Sequence, residues 1–189
     1  MSILSTNEIR KGSKIELDGD PYLVVENEFV KPGKGQAFNR MKFKNFITGN
    51  IIERTYKSGD TLKKADVEET IMQFLYKDGE GYHFMNIKNY EQVMLNEEQV
   101  SEAKNWIKEN DECSIVLFNN RAITVTPPTF VNLKITYTEP AVKGNTATGR
   151  VMKKATLETG AVVDIPIFIS QGETIRVDTR TGEYLDRVK

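Results

Sequence analysis

Short apolar runs rich in β-branched and aromatic residues alternate with turn-forming pairs along most of the chain. The runs lie at 24–25, 29–30, 51–52, 71–76, 115–118 and 165–169. The pairs that separate them are Asp18-Gly19, Gly49-Asn50, Asp78-Gly79, Asn119-Asn120 and Thr181-Gly182. Short strands at this spacing are typical of small barrels or sandwiches, so the pattern predicts a mostly β protein.

One segment shows a helical pattern instead. Asn96 can cap a helix, with Gln99 three residues later as the partner in a capping box, and Asn110 is a plausible stop. The apolar face of this predicted helix consists of Val100, Ala103 and Ile107, with Trp106 near its edge. An isolated helix beside short strands fits an OB-type barrel.

Two changes in composition divide the chain into three predicted units. Thr126-Pro127-Pro128 excludes a central strand, and the charge balance turns from basic to acidic near Lys63-Lys64-Ala65. We therefore predict domains at residues 1–64, 65–128 and 129–189. Their net charges are +4, −7 and +2, although the whole chain carries only −1. Basic ends around an acidic middle indicate that only some units contact polyanions.

The composition is that of an ordinary globular protein, with 39% hydrophobic and 28% charged residues. No apolar run approaches the roughly 18 residues that a membrane helix needs. The first residues lack the basic and then apolar pattern of a signal peptide. We expect a cytoplasmic protein with no membrane partner.

The single cysteine and single histidine limit the chemistry that the chain can perform. Cys113 lies in an apolar run, which favours a buried and inert thiol. His83 lies in a strand-like stretch and fits a structural role better than a catalytic one, because a general base needs a partner and a pocket. We therefore expect no metal site, no cofactor, no catalytic residue and no enzymatic activity.

The candidate chemistry lies in the loop around Lys34. Between Glu28 and Glu53, 24 residues contain no acidic side chain. Gly33 and Gly35 can adopt positive φ, so the chain can reverse tightly and project Lys34 from a hairpin tip.

The strand after this loop is predicted to have two different faces. At a period of two residues, Arg40, Lys42 and Lys44 share one face, while Met41 and Phe43 share the other. A cationic face of this kind would neutralise phosphates without reading sequence.

The residues alone leave a simpler explanation open, in which the loop is a solvated turn and the basic strand is a solubilising face. The loop is not a phosphate-binding P-loop, because the Gly-Lys-Ser/Thr ending and the following helix are missing.

Several strings, taken together and in order, resemble the bacterial translation elongation factor P family. They lie at residues 28–38, 123–128 and 177–189, with shorter ones at 18–22 and 82–85. The resemblance implies an L-shaped, tRNA-like arrangement of three small β-barrel domains. The first is an N-terminal KOW/SH3-like barrel that carries the Lys34 loop, and the other two are OB-type barrels.

The resemblance also implies a function in translation. A monomer would bind both ribosomal subunits between the P and E sites, stimulate peptide-bond formation and relieve stalling at consecutive prolines. Lys34 matches the position that a ligase resembling lysyl-tRNA synthetase extends to β-lysyl-lysine, so that its amine reaches the CCA end of the P-site peptidyl-tRNA. The implied tRNA and rRNA contacts are Lys31, Gly33, Lys34, Gly35, Arg40, Lys42 and Lys44.

A second set of implied RNA contacts lies in the last unit. Members of the family often carry Gly-Asp-Thr in a loop that approaches the E-site codon. The corresponding stretch here is Gly144-Asn145-Thr146, in which asparagine keeps the size of aspartate but removes its charge. An ordinary turn between strands is the alternative.

Three residues near the end of the chain have two interpretations. Arg180, Tyr184 and Arg187 could contact RNA by charge and stacking. They could also close the barrel and carry surface charge, which suits Tyr184 better.

The alternative for the whole chain is a paralogous OB-type RNA-binding module. It would use the same basic hairpin, but Lys34 would not be modified.

Overall fold

The computed structural model describes residues 2–140 and 151–188. Within these residues the chain forms sixteen strands, one single-turn α-helix and one 3₁₀ helix. The strands form three sheets, each the frame of one β-barrel-like domain. The prediction of a mostly β protein built from three small barrels is confirmed.

The first sheet has six strands in the order β1-β6-β2-β3-β4-β5. The strands are β1 (Ile3–Ser5), β2 (Lys14–Leu17), β3 (Asp20–Val30), β4 (Phe38–Asn45), β5 (Ile51–Lys57) and β6 (Thr61–Lys64). Asp18 and Gly19 both have positive φ, 54° and 92°, which joins β2 to β3 by the two-residue turn expected from this pair. Six buried residues form the core: Ile9, Ile15, Leu17, Val24, Met41 and Phe43.

The second sheet has five strands in the order β11-β10-β7-β8-β9. They are β7 (Val67–Lys77), β8 (Tyr82–Asn86), β9 (Gln92–Leu95), β10 (Glu112–Phe118) and β11 (Arg121–Thr126). Phe74 packs between two aromatic rings, with centroids 5.3 Å from Phe84 and 5.9 Å from Tyr82. Asn119 and Asn120 have φ of 49° and 62°, so they form the predicted two-residue turn between β10 and β11.

The predicted helix is present but shorter than expected. The capping box of Asn96 and Gln99 forms as predicted, and both of its hydrogen bonds are 2.9 Å long. The α-helix α1 (Glu97–Val100) ends after one turn because Ser101 adopts a positive φ of 48°, and a 3₁₀ helix (Ser101–Asn105) follows. The apolar face is nevertheless buried as expected, at Val100, Ala103 and Ile107.

The third sheet has the order β14-β13-β12-β15-β16. Its strands are β12 (Phe130–Thr138), β13 (Met152–Leu157), β14 (Val162–Pro166), β15 (Thr174–Asp178) and β16 (Glu183–Arg187). The strand expected at 165–169 ends at Pro166, because a turn follows in which the N–H of Ile169 donates to the Pro166 carbonyl at 3.1 Å.

Two further expectations concern single residues. Cys113 is 1% exposed, and burial raises the pKa of its thiol to about 12, so the thiol is buried and unreactive as predicted. His83 stacks on Tyr76 with centroids 4.5 Å apart, and its Nε2 lies 2.9 Å from Asp78 Oδ2, which gives it structural partners. Among the described residues, no helix has the length and apolar character needed to cross a membrane.

Contacts group the chain into two compact units, residues 1–70 with 115–124 and residues 71–114 with 125–189. The strands of the middle sheet therefore belong partly to each unit, and the exact bounds of the three domains stay a prediction.

Within the second unit, Trp106 joins the 3₁₀ helix to the third barrel. The indole packs against the core of the third sheet. Its ring edge lies beside Gly182, where a Cβ would be at ordinary van der Waals distance, 3.5 Å from Cη2. Beside it, Thr159 Oγ1 donates to the Asn105 carbonyl at 2.7 Å, and Lys108 Nζ donates to the Asn132 carbonyl at 2.9 Å.

We expect Trp106→Ala to lower the free energy of unfolding of this unit by about 2 kcal/mol, because a half-buried indole gives up part of the roughly 3–5 kcal/mol of a buried one. Urea unfolding followed by circular dichroism measures the change. Tyr90→Ala is the matched control, since that ring is 71% exposed and its loss should change stability little. Equal effects of the two substitutions would contradict a packing role for Trp106.

Candidate functional site

The candidate site is the hairpin of β3 and β4 with the loop 31–37 that joins them. The two strands pair from Tyr22 opposite Asn45 to Val30 opposite Phe38, just before the loop. On the other side of β4, Phe38 pairs with Lys57 of β5, and the N–H of Ser58 donates to the Ala37 carbonyl at 2.9 Å. Three strands therefore support the base of the loop.

The two glycines of the loop have different roles. Gly35 has φ of 105°, a backbone conformation that residues with a Cβ rarely adopt. Gly33 does not have a positive φ, and a Cβ there would meet nothing within 4 Å. The expectation that both glycines could reverse the chain is therefore met by Gly35 alone.

Lys34 is exposed between these glycines, as are Lys31 and Gln36. Within the described part of the chain, Lys34 forms no salt bridge. Because glycine on both sides leaves the backbone uncrowded, the side chain is accessible to another molecule. This is the exposed loop lysine that the sequence predicted.

A β-bulge in β3 determines which residues face outward on this hairpin. The register shifts between Val24, opposite Phe43, and Glu26, opposite Lys42, so Val25 is the extra residue. Without it, strict alternation from the buried Val24 would turn Glu26 toward the core. With the bulge, Glu26 faces outward and Asn27 lies opposite the buried Met41.

The outward face is charged, but it is not uniformly cationic. Lys42 Nζ lies 2.6 Å from Glu26 Oε2, and Arg40 lies 3.5 Å from Glu28 and 3.9 Å from Glu53. The hydrogen bond from Lys42 lowers the pKa of Glu26 below its usual range, and the same bond raises the pKa of Lys42.

The predicted alternation of β4 is correct. The prediction of a purely cationic face is wrong, because Arg40 and Lys42 are paired with glutamates. The acid-free segment 29–52 meets carboxylates that lie outside it, on the neighbouring strands. Lys44 is exposed, and within residues 2–140 and 151–188 it forms no salt bridge.

The inward face contains residues that the sequence analysis did not select. Asn39 is only 3% exposed, on the same face as Met41 and Phe43, and its Nδ2 donates to Asn27 Oδ1 at 3.0 Å. Phe29, opposite Asn39, is 56% exposed. A polar residue in the apolar phase of β4 was the signal in the sequence that could have found this cluster.

The predicted RNA contacts of the third barrel have partners within the protein. Arg180 binds Asp178 through two hydrogen bonds of 2.6 and 3.0 Å, and its guanidinium lies 5.8 Å from the Phe130 ring. Arg187 lies 3.2 Å from Glu173. Tyr184 packs against the core of the third sheet, as barrel closure requires.

The stretch Gly144-Asn145-Thr146 lies outside the described residues. Its contact with a codon, like the other predicted RNA contacts, stays a prediction.

Three family models match the chain in consecutive segments. The model described as the elongation factor P (EF-P) KOW-like domain matches residues 5–62. The elongation factor P (EF-P) OB domain matches residues 67–125, and the model described as elongation factor P, C-terminal, matches residues 131–187.

Solved structures of similar fold include two translation initiation factors. A eukaryotic translation initiation factor 5A from Methanococcus jannaschii is 18% identical, with a TM-score of 0.55 over 67% of this chain and 92% of that one. A translation initiation factor eIF-5A family protein from Naegleria fowleri is 15% identical, with a TM-score of 0.54 over 66% of this chain and 97% of that one. At these identities the likeness shows a shared fold.

The Asp178–Arg180 pair generates a pH prediction. The hydrogen bonds from Arg180 lower the pKa of Asp178 from 3.8 to about 2, so the pair stabilises the fold above about pH 4. That contribution is lost as the pH falls toward 2 and the carboxylate is protonated. We therefore expect Asp178→Asn to be less stable than the unaltered chain at pH 7, and the difference to shrink between about pH 4 and about pH 2.

The fluorescence of Trp106, the single tryptophan, reports this transition during urea unfolding at each pH. Asp164→Asn is the control, since the Asp164 side chain is 54% exposed against 10% for Asp178. A difference between Asp178→Asn and the unaltered chain that stays constant down to pH 2 would refute the linkage.

Proposed function

The chain belongs to the elongation factor P family of translation factors, and we propose that it binds the ribosome between the P and E sites and promotes peptide-bond formation at consecutive prolines through Lys34. Interaction with the ribosome follows from the family. The binding site, the proline substrates and the role of Lys34 are our proposal.

The observation that carries the proposal is the exposed Lys34 in the loop between β3 and β4. We call β3, β4 and β5, together with this loop, the arm. The side chain stands between two glycines, and Gly35 holds the backbone in a conformation that favours glycine. Within the described residues Lys34 has no salt bridge, whereas Arg40 and Lys42 of the same arm are paired with carboxylates. An amine free of a carboxylate partner at the end of a supported hairpin suits contact with RNA phosphates and sugars.

Extension of Lys34 is the second part of the proposal. A ligase that resembles lysyl-tRNA synthetase would activate the carboxyl group of β-lysine with ATP, releasing pyrophosphate. It would then transfer the acyl group to Nζ, which loses a proton and forms an amide as AMP leaves. The product is longer than lysine and carries a new terminal amine, so it reaches further along the acceptor end of the peptidyl-tRNA. The exposed position of Lys34 supports this step, since a second protein must reach the amine.

The chemistry would remain that of the ribosome. Proline is a poor nucleophile in this geometry because its ring restricts the approach of the nitrogen and fixes φ. Holding the peptidyl ester and the incoming amine in a reactive orientation can lower the barrier by several kcal/mol, with about 7–11 kcal/mol as the ideal case. The factor would supply this orientation by binding the CCA end, with no reacting group of its own.

An RNA-binding module that is never modified is the second candidate. The third barrel supports it: Arg176 and Arg180 lie 4.8 and 5.8 Å from the ring of Phe130, which is 43% exposed. An exposed aromatic ring with two guanidinium groups near it suits contact with an RNA base and its phosphates, without any role for Lys34.

We expect Lys34→Ala to reduce synthesis of a reporter with consecutive prolines at least about tenfold in cells that lack the factor, since about 1.4 kcal/mol of barrier corresponds to that factor. A reporter without the prolines should be unaffected. Lys34→Arg keeps the positive charge but cannot accept β-lysine as a lysine does, so we expect it to fail in the same way. Lys88→Ala, at an exposed lysine in the turn between β8 and β9, is the matched control and should behave like the unaltered chain.

Each other outcome of this experiment has a definite meaning. Full activity of Lys34→Arg would show that charge alone suffices, and would remove the modification from the proposal. Full activity of Lys34→Ala would leave the unmodified RNA-binding module as the function. Peptide mass spectrometry of the native protein shows directly whether Lys34 carries an added β-lysyl group.

A further inference from the structure

The second sheet has an outer face with large side chains that its own core does not use. Buried Phe74 and Phe84 lie opposite each other on the inner side of β7 and β8. Strand pairing places six side chains of the other side in two rows: Tyr76, His83 and Met94, and Gln73, Met85 and Gln92. We call these six residues the outer face. Tyr76 and Met94 are 44% and 45% exposed, and the whole face belongs to the second compact unit.

A β-bulge turns the aromatic residue of this face toward solvent. The register shifts between Phe74, opposite Phe84, and Tyr76, opposite His83, so Leu75 is the extra residue. With strict alternation from the buried Phe74, Tyr76 would point into the core instead. Bulges often re-aim a side chain for a function. The packing of the second sheet therefore does not explain why this ring is outside.

The exposed ring is also held in one orientation. Tyr76 stacks on His83 with centroids 4.5 Å apart and planes 22° apart. His83 Nε2 lies 2.9 Å from Asp78 Oδ2. Asp78 is fixed in turn, because its Oδ1 accepts from the N–H groups of Glu80 and Gly81 at 2.9 and 3.1 Å. A side chain that is ordered before binding loses little conformational entropy when a partner contacts it.

The segment that carries the outer face is strongly acidic. Residues 71–114 contain nine aspartates and glutamates, four lysines and no arginine. Three of the four lysines are paired with carboxylates. Lys77 and Lys104 both bind Glu97, and Lys108 lies 3.5 Å from Glu158. The field around this face therefore repels phosphates and attracts cations.

Two carboxylates lie at the edge of the outer face, in the turn between β7 and β8. The hydrogen bonds from the Glu80 N–H and from His83 lower the pKa of Asp78 below its usual range, so this carboxylate is ionised at neutral pH. Glu80 is exposed, and within residues 2–140 and 151–188 it forms no salt bridge. Both are placed to meet positive charges beside Tyr76.

We propose that the outer face is a docking surface for a basic protein. Tyr76 and Met94 pack against apolar side chains of the partner, and Asp78 and Glu80 bind lysine or arginine side chains around them. An apolar centre with a charged rim is the usual anatomy of a protein interface, and aromatic residues and methionine are enriched in its centre. RNA and anionic membranes do not suit this face, because its acidic surroundings repel phosphates. The inference does not depend on Lys34.

The test is photo-crosslinking of the full-length chain in cells where a tagged copy replaces the native one. The photoreactive residue p-benzoylphenylalanine takes the place of Met94. We expect a crosslinked product that ribonuclease leaves intact and protease destroys, and whose partner peptide carries lysine or arginine beside apolar residues in mass spectrometry. The same probe in place of Val162, which is 58% exposed on β14, should not give this product.

Variants that keep the probe at position 94 separate charge from packing. Glu80→Lys should lower the yield of the product at least about fivefold, because it sets like charges against each other. Glu183→Lys, at an exposed carboxylate of the third sheet, is the matched control and should leave the yield unchanged.

Two further variants test the ring. Tyr76→Ala should lower the yield at least about fivefold, whereas Tyr76→Phe keeps the stacked ring and should retain the product. Circular dichroism and the fluorescence of Trp106 show that each variant is folded.

Several results would overturn the inference. They are the absence of a product from position 94, a product that ribonuclease degrades, and a crosslink to lipid. Capture of a protein alone is not support, because the yield must follow both the charge and the ring. A protein product that is equally abundant in Glu80→Lys or in Tyr76→Ala would therefore exclude the proposed surface as well.

Discussion

The bulge at Val25 is the constraint on which the arm depends. Before the bulge, Val24 faces the core side of the sheet. Because one residue is added, Asn27, three positions later, faces the same side. Without that change of phase, two carboxylates would point inward beside Met41 and Phe43, where an ionised group without a partner is very unfavourable. The same change places Asn27 and Phe29 on the inward side. One inserted residue thus determines both faces of the hairpin.

The outward face shows why charge along the sequence is a poor guide to charge in space. The acid-free segment 29–52 is cationic when it is read along the chain, but β4 lies between two strands that carry glutamates. Opposite charges directly across a ladder attract, and at half-exposed positions each pair adds only modestly to stability. The larger effect is on the electrostatic potential beside β4, which is less positive because neighbouring glutamates offset the charges of Arg40 and Lys42.

Local patterns accounted for much of the fold. The period of two in β4, the turn at Asp18-Gly19 and the capping box at Asn96 all depend on residues close in sequence, and the structure has each of them. The shorter α-helix, the bulge and the glutamates opposite β4 depend on tertiary pairing between distant segments. The site divides in the same way: an exposed Lys34 could be predicted from its glycines, whereas the unpaired oxygen of Asn39 appears only when Ile9 and Asn27 are in place.

The ion pairs of Arg40 and Lys42 also affect where RNA would bind on this hairpin. A uniformly cationic strand would bind phosphates along its whole length and in many registers, because phosphate contacts carry no sequence information. Carboxylates beside Arg40 and Lys42 weaken that competing attraction. Lys31 and Lys34 in the loop, and Lys44 at the opposite end of β4, are then the exposed cations of this hairpin that form no salt bridge among the described residues. In this view the glutamates of β3 and β5 contribute to the proposed function by neutralising the part of β4 next to the loop, so that the loop lysines are separated from the next unpaired cation, Lys44.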